Sequence, residues 1–100
     1  MVRAKHYLIR GRVQGVGYRY FALETAERLG ITGYARNLHS GEVEVHAEGE
    51  QATLDRFKLE LERGPRMARV TEVGQGALDA VNALLDRHLG QADQNTLVFN

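Results

Sequence analysis

The sequence predicts an α+β fold, a ferredoxin-like split βαβ arrangement in which an antiparallel sheet carries two helices on one face. Three observations predict it. Apolar residues switch between strand and helix spacing in the order β-α-β-β-α-β across residues 5–73. The stretch "EVEVHAEGE" (42–50) sets Val43, Val45 and Ala47 against Glu42, Glu44, His46 and Glu48, as a sheet with one buried and one wet face requires. Glycines stand where the helices should stop, at Gly30 and Gly64.

Taken in order, "KHYLIRGRV" (5–13) reads as the first strand, with Tyr7 and Ile9 on one face and Leu8 among polar groups on the other. A glycine-rich loop follows. From about Tyr20 the period becomes helical, with Phe21, Ala22, Thr25, Ala26 and Leu29 forming a stripe that ends before Gly30. "ITGYARNL" (31–38) is the second strand, "LHSG" a turn, and 42–50 the third strand. Residues 51–63 form a second helix on Leu54, Phe57 and Leu61, closed by Gly64 and Pro65. "MARVTEV" (67–73) is the fourth strand. Both helices are expected on the same face of the sheet.

One hundred residues with 43% hydrophobic content suit a single domain with a buried core. Zero formal charge argues against a general polyanion binder. The charges are unevenly spread, since Arg3, Lys5, Arg10, Arg12 and Arg19 all precede the first acid, Glu24. That bias keeps a small anion in view. The absence of cysteine excludes disulfides, thiolate metal sites and cysteine nucleophiles. No apolar run has the length of a signal core or a bilayer span, so a cytoplasmic protein without membrane contact is expected.

The stretch "GRVQGVGYR" (11–19) holds three glycines beside Arg19, between a strand and a helix start. Glycine is costly in conformational entropy, so three together require a return. A helix N-terminus leaves amide N–H groups without intrahelical partners, and a glycine turn can aim several at one point. The helix dipole favours negative charge there. A guanidinium beside them can grip two oxygens of a phosphate or carboxylate at once. The loop lacks the Lys-Ser/Thr ending of a nucleotide P-loop and the spacing of a dinucleotide fingerprint. On spacing alone, an anion nest and a tight structural turn both stay open.

"GRVQGVGYR" followed by "GYARNLHSGEVEV" resembles the acylphosphatase family, and "GPRMARV" extends the likeness over residues 5–73. That family shares the element order, a G-x-V-Q-G-V-x-x-R loop and an Asn in the second strand. The resemblance implies metal-independent hydrolysis of the carboxyl-phosphate bond of acyl phosphates, with no cofactor. It implies that the amides of Gln14, Gly15, Val16, Gly17, Tyr18 and Arg19 cradle the phosphoryl group, that Arg19 binds its oxygens, and that Asn37 orients the attacking water. Without the family motif, Asn37 reads instead as preparation for the "LHSG" turn.

Other residues are set aside on physical grounds. His6, His39, His46 and His88 are scattered without ligand spacing and read as surface or strand-face side chains. The third-strand glutamates read as a wet face. Tyr18 is either a substrate contact or a packing residue. The alternative function is a non-catalytic anion- or RNA-binding module of the same fold. Tyr7 is the sole aromatic on the expected central strands, and the neutral charge also counts against RNA. The expected partner is therefore a small-molecule acyl phosphate, with no nucleic acid. Residues 74–100 depart from the family, which closes with a β-rich segment. Here 77–89 read as an amphipathic helix on Leu78, Val81, Leu85 and Leu89, and "TLVF" as a short last strand. A monomer is expected, unless this segment or an uncovered sheet edge recruits a second chain.

Overall fold

The computed structural model describes residues 1–76 and 95–99. Its elements are β1 (Val2–Arg12), α1 (Tyr18–Leu29), β2 (Thr32–Asn37), β3 (Val43–Glu50), α2 (Gln51–Arg63), β4 (Arg69–Gly76) and β5 (Thr96–Phe99). The sheet runs β4-β1-β3-β2-β5 with every neighbouring pair antiparallel. This is the predicted ferredoxin-like α+β order with a fifth strand added. The helix expected at 77–89 lies outside the described residues.

Strand limits follow their partners more than their local residues. β1 begins at Val2 instead of residue 5 because β3 supplies a partner as far as Glu50. β4 starts later than expected, after a turn closed by Ala68 N–H on Pro65 O at 3.0 Å. It then runs on to Gly76, which pairs with His6. The sheet edge is not left for another chain on the β2 side. β5 pairs there in register, with Gly33 opposite Phe99 and Arg36 opposite Thr96.

Both helices cover one face. Tyr7, Ile9 and Val13 meet Ala22 and Ala26 of α1, Leu54, Phe57 and Leu61 of α2, and Val43, Val45 and Ala47 of β3 in one buried cluster. Phe57 sits at its centre, edge-on to Tyr7 and to Phe99, with ring centroids 6.3 Å apart in each pair. Each such side chain contributes about 1.5–3 kcal/mol by leaving water. Burial, with the nearby Asp55 charge, pushes the Tyr7 hydroxyl up to about 12. Tyr7 therefore lies under α2 and offers no face to a stacked base.

The opposite face corrects the expectation of a wet surface. His6, Glu44 and His46 are only 2%, 5% and 3% exposed. Burying such groups is tolerable only where they are paired, as these are. Glu44 accepts from His6 Nε2 at 2.7 Å through one oxygen and from Arg36 Nη2 through the other. His46 reaches Glu48 at 3.3 Å and stacks on Tyr34 with centroids 5.5 Å apart. Register makes this possible: Arg36 lies directly opposite Glu44, and His6 opposite His46. Of the remaining histidines, His39 is exposed and His88 is outside the described residues.

A second polar tie joins the helices. The carbonyl of Leu61 is near the end of α2, where the next helical donor would come from Pro65, which has no N–H. The Tyr18 hydroxyl takes that place, donating to Leu61 O at 2.6 Å. Tyr18, offered above either to substrate or to packing, is thus a packing residue at the first position of α1.

Three stability outcomes follow from these contacts. Glu44→Ala leaves His6 and Arg36 facing a buried gap and is expected to cost about 3 kcal/mol in denaturant unfolding. Burial alone would raise the Glu44 pKa, but the His6 hydrogen bond and the Arg36 charge outweigh it and hold the carboxyl below its usual range. With the folded pKa below the unfolded value of about 4.3, this stabilisation is complete above that value. It is lost as pH falls through the folded pKa, so unfolding midpoints should drop on acidification more steeply in the native protein than in Glu44→Gln. Tyr18→Phe, which orphans the Leu61 carbonyl, is expected to cost about 1–2 kcal/mol in the same measurement.

Candidate functional site

Between β1 and α1 the chain turns through a loop whose ends are fixed and whose middle is open. Val13 and Tyr18 are each 1% exposed and belong to the core, while Gly15 and Gly17 between them face solvent. Gly15 and Gly17 take φ of +76° and +79°, and no non-glycine residue has positive φ among the described residues. The sign of φ therefore alternates along Gly15, Val16 and Gly17. Such alternation turns successive N–H groups toward one concave point. An L side chain at either glycine would add left-handed strain of about 1–2 kcal/mol.

Gly17 is also the N-cap of α1, where it offers no side-chain cap, and the first turn holds no acidic residue. Its carbonyl accepts the first helical bond, from Phe21 N–H at 3.0 Å. The amides before Phe21 have no carbonyl ahead of them in the helix. This N-terminus is built without its own anion. Half-buried Arg19 rises from the same turn.

Across the loop stands Asn37, the last residue of β2, paired with Val43 and bonded through its N–H to Asn95 O at 3.1 Å. Its side-chain Oδ1 is out of solvent and has no hydrogen-bond partner among the described residues. Asn37 shares a cleft of about 220 Å³ with Val13, Gly15, Gly17, Tyr18, Arg19 and Tyr20. Among the described residues, no carboxylate or imidazole lines it.

Of the residues expected at the site, Gly15, Gly17, Tyr18, Arg19 and Asn37 are thus brought to one cleft. The side chains of Gln14 and Val16 turn elsewhere. Val16 packs against the core. Gln14 crosses to the β2–β3 turn, where its Nε2 donates to Leu38 O at 2.7 Å and Glu42 O at 2.9 Å. Tyr20, 59% exposed at the rim, was not singled out from the sequence. Its signal was position: in the first turn after Gly17, one residue beyond Arg19, it falls off the buried stripe of α1.

A larger cleft of about 380 Å³ lies between the helices, lined by Arg28, Leu29, Arg56, Leu59, Glu60 and Arg63. Glu60 holds Arg28 at 3.1 Å and Arg63 at 2.8 Å there. It has neither glycine loop nor helix N-terminus. The smaller cleft holds both the glycine loop and the start of α1.

Known proteins are similar to this chain in sequence and in fold. The acylphosphatase family profile matches residues 5–85. An acylphosphatase of Thermus thermophilus is 56% identical over 66 residues, which cover 66% of this chain and 75% of its own. One from Solibacter usitatus is 54% identical over 67 residues, covering 67% of this chain and 70% of its own. The crystal structure of the Bacillus subtilis acylphosphatase aligns with a TM-score of 0.73 at 33% identity, over 76% of this chain and 83% of its own. By sequence and by fold, the chain belongs to the acylphosphatase family.

Proposed function

We propose that this chain, an acylphosphatase by family, hydrolyses acyl phosphates with the loop amides and Arg19 as its phosphate site and Asn37 as its water site. The observation that carries this reading is the convergence on one cleft of an uncapped helix N-terminus, Arg19 and an unpartnered Asn37 Oδ1.

The dianionic phosphoryl group sits against the amides of the Gly15–Gly17 turn and the first turn of α1. Arg19 holds two of its oxygens and remains a cation throughout, because a guanidinium does not give up its proton in proteins. These donors are fixed before the substrate arrives, so charge that spreads over the equatorial oxygens meets dipoles already aimed at it. The Asn37 carboxamide orients a water and directs its oxygen lone pair at phosphorus. The P–O bond to the acyl group breaks as the new P–O bond forms. The leaving carboxylate, with a pKa of about 4, departs with its electron pair and needs no acid. The second product is phosphate, and a phosphoryl oxygen takes the proton that water loses.

The same reading makes the protein cytoplasmic and monomeric. In support, no helix among the described residues is long and apolar enough to cross a membrane, and β5 of the same chain covers the β2 edge of the sheet.

Arg19→Ala is expected to lose about 10²–10³ in turnover together with competitive inhibition by inorganic phosphate. Asn37→Ala is expected to lose turnover on a similar scale while inhibition by phosphate stays near native, since Asn37 meets the water and not the anion. Both are read from hydrolysis of benzoyl phosphate with excess chelator. Near-native turnover in Asn37→Ala would end its assignment to the water. Among the described residues, no carboxylate or imidazole lines the cleft, so kcat should stay flat between about pH 5.5 and 8. A sigmoid through the histidine range would require a different proton acceptor.

A further inference from the structure

We propose that the Gln14 side chain is a positioning residue for the water site, a brace that holds the β2–β3 hairpin, and Asn37 with it, in register with the phosphate loop. This inference rests on the functional reading above and adds to it a residue that touches neither substrate nor water.

The Gln14 carboxamide is doubly engaged. Its two N–H protons both go to main-chain carbonyls, Leu38 O at 2.7 Å and Glu42 O at 2.9 Å. Because both partners are acceptors, only the NH₂ end fits between them. Those carbonyls form the mouth of the hairpin turn. Leu38 N–H donates to Glu42 O at 2.9 Å, and Gly41 N–H donates to Leu38 O at 3.1 Å. Each oxygen thus accepts one bond from the turn and one from Gln14, which uses both lone pairs.

Position gives the brace its effect. Leu38 follows Asn37 directly, and Glu42 directly precedes Val43, the cross-strand partner of Asn37. Gln14 therefore grips both strands one residue beyond the Asn37–Val43 pair. Its own backbone lies between buried Val13 and Gly15 of the cleft. The carboxamide thus spans from the segment that presents the phosphate site to the segment that presents the water site. A displacement of about 1 Å between such groups can cost about 10²-fold in rate. Arg10 also reaches Glu42, at 2.5 Å, but through the side-chain carboxylate, whose torsions decouple it from the backbone. Arg10 steadies the surface of the turn, and Gln14 fixes its main chain.

The test is a double-mutant cycle on the full chain, with kcat and KM for benzoyl phosphate and the inhibition constant of inorganic phosphate. It compares the native protein, Gln14→Leu, Asn37→Ala and the double variant. Gln14→Leu, which keeps bulk and removes both donors, is expected to lower kcat about 10–100-fold. KM and phosphate inhibition should stay within about twofold of native. In the Asn37→Ala background the same change should alter kcat by less than about threefold, because the brace has nothing left to position. Native kcat in Gln14→Leu would overturn the proposal. So would a full, multiplicative loss on top of Asn37→Ala, or a parallel loss of phosphate inhibition, either of which marks general damage to the loop. If Gln14→Leu does not fold, Gln14→Asn, too short to reach both carbonyls, is read by the same criteria. Failure of the underlying functional reading shows separately, as native turnover in Asn37→Ala alone.

Discussion

The structure depends on an uncapped helix N-terminus held open to solvent. Most helices satisfy their first amides with a side chain of their own, and α1 does not, since Gly17 has none to offer and no acid follows in the first turn. The dipole at such an end stabilises an anion by only about 0.3–1 kcal/mol when exposed. A hydrogen bond to a charged partner contributes about 1.5–3 kcal/mol. The geometry of the individual donors therefore outweighs the dipole, and the backbone angles at Gly15 and Gly17 decide that geometry. The remaining structure keeps those angles from relaxing.

It does so by anchoring the loop at both ends and leaving its middle bare. Val13 enters the core at one end, and Tyr18 enters it at the other, its hydroxyl bound to the last turn of α2. A loop fixed in this way has little freedom to fold its amides onto itself. The far side of the sheet serves β2 in a comparable manner. Arg36, next to Asn37, is drawn to Glu44, which His6 holds from β1. Buried ionic groups of this kind return little net stability against apolar replacements, because desolvation offsets most of their attraction. What they impose is register, since Arg36 meets Glu44 only if β2 and β3 pair as they do.

Elements with a long period were legible in the sequence. The stripe of α1, the Leu54-Phe57-Leu61 stripe of α2 and the alternation of β3 each repeat often enough to name their type, and their order specifies the topology. The glycine loop was legible because its composition is so costly elsewhere. The polar face was not. Alternation separates two faces of a strand but does not say whether the second is wet, and His6 and Glu44 are 38 residues apart in the chain. Their pairing is a property of the sheet. β5 has only four residues, too few for a period; "TLVF" reads as a short last strand and is one, but its place beside β2 could not be read from it. Gln14 stood in the recognised loop, yet its side chain works on carbonyls 24 and 28 positions away, which no local pattern announces.

The same economy accounts for selectivity. In the proposed site every donor addresses the phosphoryl end, so an acyl phosphate and a phosphate ester of an alcohol would be gripped alike. They differ in what must leave. A carboxylate departs unaided, whereas an alkoxide, whose conjugate acid has a pKa near that of water at about 15.7, requires a proton in the transition state. The lining side chains have no carboxylic acid or imidazole to give one. The Tyr18 hydroxyl is no substitute, because burial raises its pKa and its proton is committed to Leu61 O. Discrimination therefore lies in the chemistry of the bond broken and not in the fit of the acyl group. On the proposed reading, a site without a carboxylic acid or imidazole would cleave a mixed anhydride and hold a phosphate ester without cleaving it.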